Sequence, residues 1–172
     1  MPVIRLPDGT ISSLDFYVNL LAEEWRGEQV PNAIRPDIIE SEIGFSKHLH
    51  VVVIWDDWRD LGPQHRSRAI LDAYSKSHPG EPPRITIAMG LTREEAAALG
   101  YLPYKVEALV KTGEKPTRDE IASAMKAQGA FETKRGLELR FYDLSLAQTV
   151  YKRLEREFPG VWVLVKEEPP SE

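Results

Sequence analysis

At 172 residues, 42% apolar and 28% charged, the chain can build one sizeable domain or two small ones, with the balance of an ordinary soluble protein. A formal charge of −5 argues against a dominant polyphosphate partner, because nucleic-acid affinity rests on Lys and Arg neutralising phosphates. The absence of cysteine removes disulfides, thiol nucleophiles and thiolate-ligated metal or iron–sulfur centres.

Met1 to Asp8 shows no basic stretch followed by an apolar one, so no signal peptide is expected. No apolar run approaches the ~20 residues that span a bilayer. A cytoplasmic location is the expectation. Ser12-Ser13-Leu14-Asp15 predicts a helix start, with Ser12 as N-cap and Asp15 in the capping-box position. Leu14, Val18, Leu21 and Trp25 give that helix one apolar face, and Gly27 and Pro31 close it. Ile38, Ile39 and Ile43 predict a short strand. Gly44 to Lys47 turns it back into a second strand, His48 to Trp55, as a hairpin. On the second strand Leu49, Val51, Val53 and Trp55 point one way, Val52 and Ile54 the other. A strand apolar on both faces is central and covered on both sides, or is covered by a partner.

Asp56 to Pro63 reads as a turn and Gln64 to Ser77 as a helix, with Pro63 in its first turn and Ile70, Ala73 and Tyr74 inward. Pro79, Pro82 and Pro83 forbid its continuation. Arg84 to Met89 is a strand, and Thr92-Arg93-Glu94-Glu95 caps a short helix ending near Gly100. A boundary follows at Gly100–Pro103. Beyond it come a strand from Tyr104 to Lys111, a helix capped by Thr117 with Ile121, Ala124 and Met125 inward, and strands at Phe131–Thr133 and Leu137–Tyr142 around a Lys134-Arg135-Gly136 turn. A helix capped at Ser145 carries Leu146, Val150, Leu154 and Phe158. The last strand is Val161–Lys166, and Glu167 to Glu172 is a polar tail. This βαββαβ order is that of a ferredoxin-like split βαβ sandwich. Its expected core is Val106, Val110, Ile121, Leu139, Phe141, Val150, Leu154, Phe158 and Val163.

Several residues could carry chemistry. His48 and His50 project from one strand face, roughly 7 Å apart at the backbone, and with His65 or Asp56 could make a metal site. The competing reading is an ordinary strand end. Asp56, Asp57 and Asp60 could act as acids, bases or ligands, but they also suit a turn ahead of a helix N-terminus. Trp55 reads as core, and Trp58 as a residue able to serve a binding surface. Arg59, His65, Arg66 and Arg68 form the one basic cluster of the first half, an anion site or a solvated helix face. Lys134-Arg135-Gly136 resembles the start of an RNA-binding RRM signature. Leu137 and Leu139 stand where its stacking aromatics belong, which removes the platform for bases. No phosphate-binding Gly-rich loop, G-x-S-x-G or H-E-x-x-H is present.

Ser46-Lys47-His48-Leu49-His50-Val51-Val52-Val53, the turn with Trp58 and Leu61, Arg66-Ser67-Arg68-Ala69-Ile70, Ile85-Thr86-Ile87 and Thr92-Arg93-Glu94-Glu95 together resemble the BolA family over residues 38–95. The resemblance implies a small KH-like domain: a strand hairpin, a helix pair and a third strand. In that family the helix opens Arg-His-Arg, and the His helps bind an iron–sulfur cluster shared with a monothiol glutaredoxin. Here Ser67 stands in its place, and His65 lies about 200° around the helix, so the resemblance implies the fold without the cluster.

The sequence therefore predicts an α+β protein: a KH/BolA-like module over residues 1–101, a ferredoxin-like module over 103–167 and a flexible tail over 168–172. The expected function is that of a non-catalytic interaction or assembly protein. It would act through a protein partner or self-association, without cofactor, metal or catalytic residue. His48, His50, Trp58, His65, Arg66 and Arg68 are the candidate binding residues. The alternatives are a metal- or anion-dependent enzyme centred on His48, His50, Asp56 and His65, and a nucleic-acid-binding module.

Overall fold

The structure, a computed structural model, describes residues 3–5, 11–27, 35–44, 48–80, 84–109 and 116–167. It is mixed α+β, and the chain divides into two compact units, residues 1–92 and 93–172.

The first unit opens with a pair of three-residue antiparallel strands, β1 (Val3–Arg5) and β2 (Ile11–Ser13). The sequence reading missed this pair. Ser12 pairs with Ile4 in it, so Ser12 is not a helix cap; the helix α1 (Leu14–Trp25) starts directly after β2. Leu14, Val18 and Leu21 are buried along α1 as the spacing predicts. Then follow β3 (Asp37–Ile43), β4 (His48–Ile54), a 3-10 turn (Asp56–Trp58), α2 (Pro63–Ser77) and β5 (Ile85–Leu91). The expected turn over Gly44–Lys47 lies mostly outside the described residues.

The sheet order is β3-β4-β5, with β3 antiparallel and β5 parallel to β4. A parallel neighbour requires a crossover, and α2 supplies it. The alternation along β4 then decides the core. Leu49, Val51, Val53 and Trp55 pack with Leu14, Tyr17, Val18 and Leu21 of α1 and with Ala69, Ile70, Ala73 and Tyr74 of α2. Tyr17 meets Trp55 edge-on at 5.6 Å, and Trp25 meets Tyr74 edge-on at 5.7 Å.

The second unit contains α3 (Arg93–Ala98), β6 (Tyr104–Ala108), α4 (Arg118–Ala127), β7 (Phe131–Thr133), β8 (Gly136–Phe141), α5 (Leu144–Glu157) and β9 (Trp162–Lys166). From β6 onward the element order is βαββαβ, as the sequence predicts, and the antiparallel strands are ordered β7-β8-β6-β9. The sequence reading put α3 with the first half. Here α3 belongs to the second unit, where Arg93 Nη1 donates to the Gly129 carbonyl at 2.8 Å. The β7–β8 turn is Lys134-Arg135, and Gly136 follows it at φ +117°, a conformation that glycine adopts without a Cβ clash.

Thr117 closes a full capping box with Glu120 at the start of α4. The cap of α5 is Asp143, whose carboxylate accepts the Leu146 amide at 2.9 Å, and not Ser145. That shift turns Leu146 outward, and Ala147 takes the core position. Val106, Ile121, Leu139, Phe141, Val150 and Leu154 are core residues as expected, with Phe158 partly buried against them. Val163 is not; it pairs with Glu107 on the opposite face, while Trp162 and Leu164 point inward. Val110 and residues 168–172 lie outside the described residues.

Candidate functional site

The turn after β4 is built around two residues that the sequence offered for binding. Trp58 is fully buried, and its Nε1 donates to the Leu91 carbonyl at 3.0 Å. Arg66, 3% exposed, spends its guanidinium on backbone. Nε reaches Leu61 O at 2.6 Å, Nη1 reaches Gly90 O at 3.2 Å and Nη2 reaches Arg59 O at 3.1 Å. A buried guanidinium is tolerated when its donors are filled. These bonds hold the 59–61 turn against β5, so Arg66 and Trp58 are structural.

The other candidates do not converge on one place. Arg68 is exposed and pairs with Asp72 one helical turn on, at 3.5 Å. His65 is half-buried at the start of α2, beside Gly62. His48 is exposed and His50 half-buried at the opposite end of β4 from Asp56. Four strand steps of ~3.3 Å carry the chain about 13 Å from His50 to Ile54 at the end of β4, and Asp56 lies beyond that end in the 3-10 turn. One metal ion therefore cannot be shared by the four residues of the proposed enzyme centre. Among the described residues no group of three or more His, Cys, Asp or Glu side chains is placed to hold a metal ion.

The acidic turn is electrostatically coupled to α1. Tyr17 donates to the Asp57 backbone carbonyl at 3.3 Å. Burial, then the charges of Asp57 and Asp60, raise the Tyr17 phenol. Asp57 is an exposed residue, yet partial burial of its carboxyl, with Asp56 adjacent, raises its pKa too. Asp56 itself lies 4.0 Å from the Arg59 guanidinium.

The second face of the β3-β4-β5 sheet is the least conventional surface of the first unit. Strand pairing places Ile39 beside Val52 and Met89, Asp37 beside Ile54 and Leu91, Ser41 beside His50 and Ile87, and Ile43 beside His48. All of these point away from the α1–α2 core. The face is closed at one end, where Val52 and Ile54 are 6% and 1% exposed. It is open at the other, where Ile43 and Ile87 are 38% and 43% exposed, with His48 and His50 among them. His48 and His50 thus do share a surface, together with Ser41 and the apolar Ile43 and Ile87. The residues that define it, Ile43 and Ile87, were missed as site residues. Their signal was the paired Val52 and Ile54, which mark β4 as apolar on its second face.

The second unit presents the opposite chemistry. On the sheet face away from its core, Lys105 and Glu107 of β6 lie beside Glu138 and Arg140 of β8, with Glu167 beyond β9. Arg140 is nearly buried and bonds both Glu138 and Glu167, the latter at 2.6 Å. Leu137 and Leu139 point the other way, into the core. The sheet therefore offers ion pairs where an RNA-stacking surface would carry aromatic rings. A depression of about 280 Å³ near the start of α4 is lined by Pro116, Glu120, Glu157, Phe158, Pro159 and Val161. It is smaller than typical ligand pockets of ~300–1,000 Å³, and Glu120 is engaged in the α4 cap.

No helix among the described residues is long and apolar enough to cross a membrane. The chain matches no family model, no curated protein and no solved structure.

Proposed function

We propose that the protein is a non-catalytic, soluble, cytoplasmic interaction or assembly protein, and that its docking surface is the open half of the β3-β4-β5 face. One observation carries this reading. A three-stranded sheet already closed by two helices has a second apolar face, and at one end Ile43 and Ile87 remain exposed on it. Apolar side chains gathered on one exposed face of a sheet mark an interaction site more often than singly scattered ones do. His48 and His50 border the apolar residues and supply polar contacts. The enzyme alternative keeps less support, because its four residues are split between the two ends of β4.

The BolA-like reading of residues 38–95 is proposed for the fold alone. A hairpin, a crossover and a third strand occur in the implied order, with a 3-10 turn and one long helix in the place of the helix pair. Ser67, at the family's cluster-binding position, donates its hydroxyl to the Ala88 carbonyl at 2.8 Å and so ties α2 to β5. A ferredoxin-like assignment of the second unit is proposed on its βαββαβ order and strand order.

The test is site-specific photo-crosslinking in cells. A photoreactive residue at position 87 is expected to give protein adducts. The same residue at Leu71, exposed on the outer side of α2, is the control. Equal or absent adduct formation at the two positions would remove the docking surface from this face.

A further inference from the structure

We propose that β9 is the edge at which two copies of the chain join, the two strands pairing antiparallel about a two-fold axis at Leu164. The inference is independent of the β3-β4-β5 face, because it concerns the backbone of the other sheet. In the order β7-β8-β6-β9, β9 has one neighbour. At the two ends of the β6–β9 ladder, Leu109 N donates to Val161 O at 2.7 Å and Glu167 N donates to Pro103 O at 2.8 Å. Bonding alternates along an antiparallel pair. Val161, Val163, Val165 and Glu167 therefore turn their backbone groups toward β6, while Trp162, Leu164 and Lys166 turn theirs outward. Among the described residues no bond is made to these outward groups. An open row of N–H and C=O groups is a template for another strand. The other edges of the two larger sheets are guarded. Arg66 Nη1 and Ser67 Oγ of α2 occupy the Gly90 and Ala88 carbonyls of β5. β3 carries Asp37, Glu40 and Glu42. β7 is three residues long and packs against α3. β9 is regular in register, and its one charge, Lys166, is its last residue.

The side chains select a copy of this strand as the occupant. With Leu164 on the axis, all 5 residues of β9 overlap. Trp162 stands opposite Lys166 of the second copy, and Val163 stands opposite its Val165. On the same face β6 sets Glu107 beside Val163 and Lys105 beside Val165. Each row across the joint then reads Glu107 and Val163, followed by Val165 and Lys105 of the second copy. Apolar side chains meet at the centre and opposite charges stand at the ends. An axis at Lys166 would instead set one ammonium against the other, which disfavours that register. A contact through one short strand falls below the ~800 Å² per partner of a standard interface. The dimer is therefore concentration-dependent, with a dissociation constant in roughly the micromolar to millimolar range.

Sedimentation equilibrium on the full chain tests this. Between about 10 μM and 1 mM the weight-average mass is expected to rise from 19.5 kDa toward twice that value. Lys166→Pro removes an outward N–H and no bond to β6, and Val165→Lys places a charge among the central valines. Both should stay monomeric with the circular dichroism of the parent. Ile87→Glu, on the other sheet, should dimerise like the parent. A parent chain at monomer mass throughout the range overturns the proposal. So does a folded Lys166→Pro or Val165→Lys chain that still dimerises, or a folded Ile87→Glu chain that does not. The register is tested by crosslinking, since the chain has no cysteine. Val163→Cys and Val165→Cys chains, mixed and oxidised, should link to each other more readily than either links to itself, because position 163 faces position 165 of the second copy. Mixed dimers no more abundant than self-linked ones overturn the pairing.

Discussion

A β-carbon at position 90 would stand 2.5 Å from Cβ of Arg66 and 2.9 Å from two ring carbons of Trp58. Neither neighbour can step aside. Trp58 is pinned through its Nε1 to Leu91, and Arg66 is pinned through three carbonyls. Gly90→Ala should therefore lower the stability of the first unit by about 1–3 kcal/mol, the usual cost of overpacking. Urea titration followed by tryptophan fluorescence measures this, and an unchanged midpoint would contradict the packing. Glu167 gives a residue-scale prediction with a pH sign. The hydrogen bond from Arg140 lowers its pKa; burial opposes this, and the charges of Arg140, Lys105 and Arg135 add to the lowering. A carboxyl with a lowered folded pKa stabilises above its unfolded value, about 4.3, and loses that contribution as pH falls through the folded value. Glu167→Gln should thus melt below the parent at neutral pH, by a small margin because the side chain is 44% exposed. The gap should close on acidification. A gap that widened in acid would reverse the assignment.

Among the elements, β4 carries the sharpest expectation. Val53 is fully buried between β3 and β5, facing α1 and α2. Val53→Asp would bury an unpaired carboxylate at several kcal/mol, comparable to the ~5–15 kcal/mol that hold a domain together. The first unit should lose its cooperative melt, and a normal transition would refute the strand's place. β4 was legible because its apolar residues fill both periods of a strand, and α2 because Pro63 and three prolines beyond Ser77 bracket it. Errors came where local signals compete. Both Asp143 and Ser145 can cap a helix, and the choice moves Leu146 from core to surface. In Trp162-Val163-Leu164-Val165 every residue is apolar, so alternation does not fix which set faces inward; pairing with β6 does. The β1–β2 pair, three residues per strand, is too short to leave a period.

At the scale of the whole chain, the sequence reading and the contacts within the structure each divide the chain in two, at different places. The sequence places the joint at Gly100–Pro103, on the strongest breakers; the structure places it between Thr92 and Arg93. The reason is that α3 is only six residues long with one buried side chain, Ala96, and its place is set by long-range packing against β7 and the bond from Arg93 to Gly129. Site residues were harder to read than the joint. Trp58 and Arg66 have the residue types of a binding site, but their burial depends on Gly90, twenty-four positions beyond Arg66, where no local pattern points. The boundary at Thr92 also predicts how fragments of the chain behave. Residues 93–172 contain one continuous core of Val106, Ile121, Met125, Leu139, Phe141, Ala147, Val150, Leu154 and Trp162, together with both capped helices. Expressed alone, they should give a dispersed amide NMR spectrum and a cooperative but modest melt, since so short a chain buries a limited fraction of its surface. A fragment starting at Pro103 lacks α3 and the Arg93–Gly129 bond and should melt at a lower temperature. If the longer fragment is undispersed, or if removing α3 leaves the midpoint unchanged, the joint does not lie at Thr92.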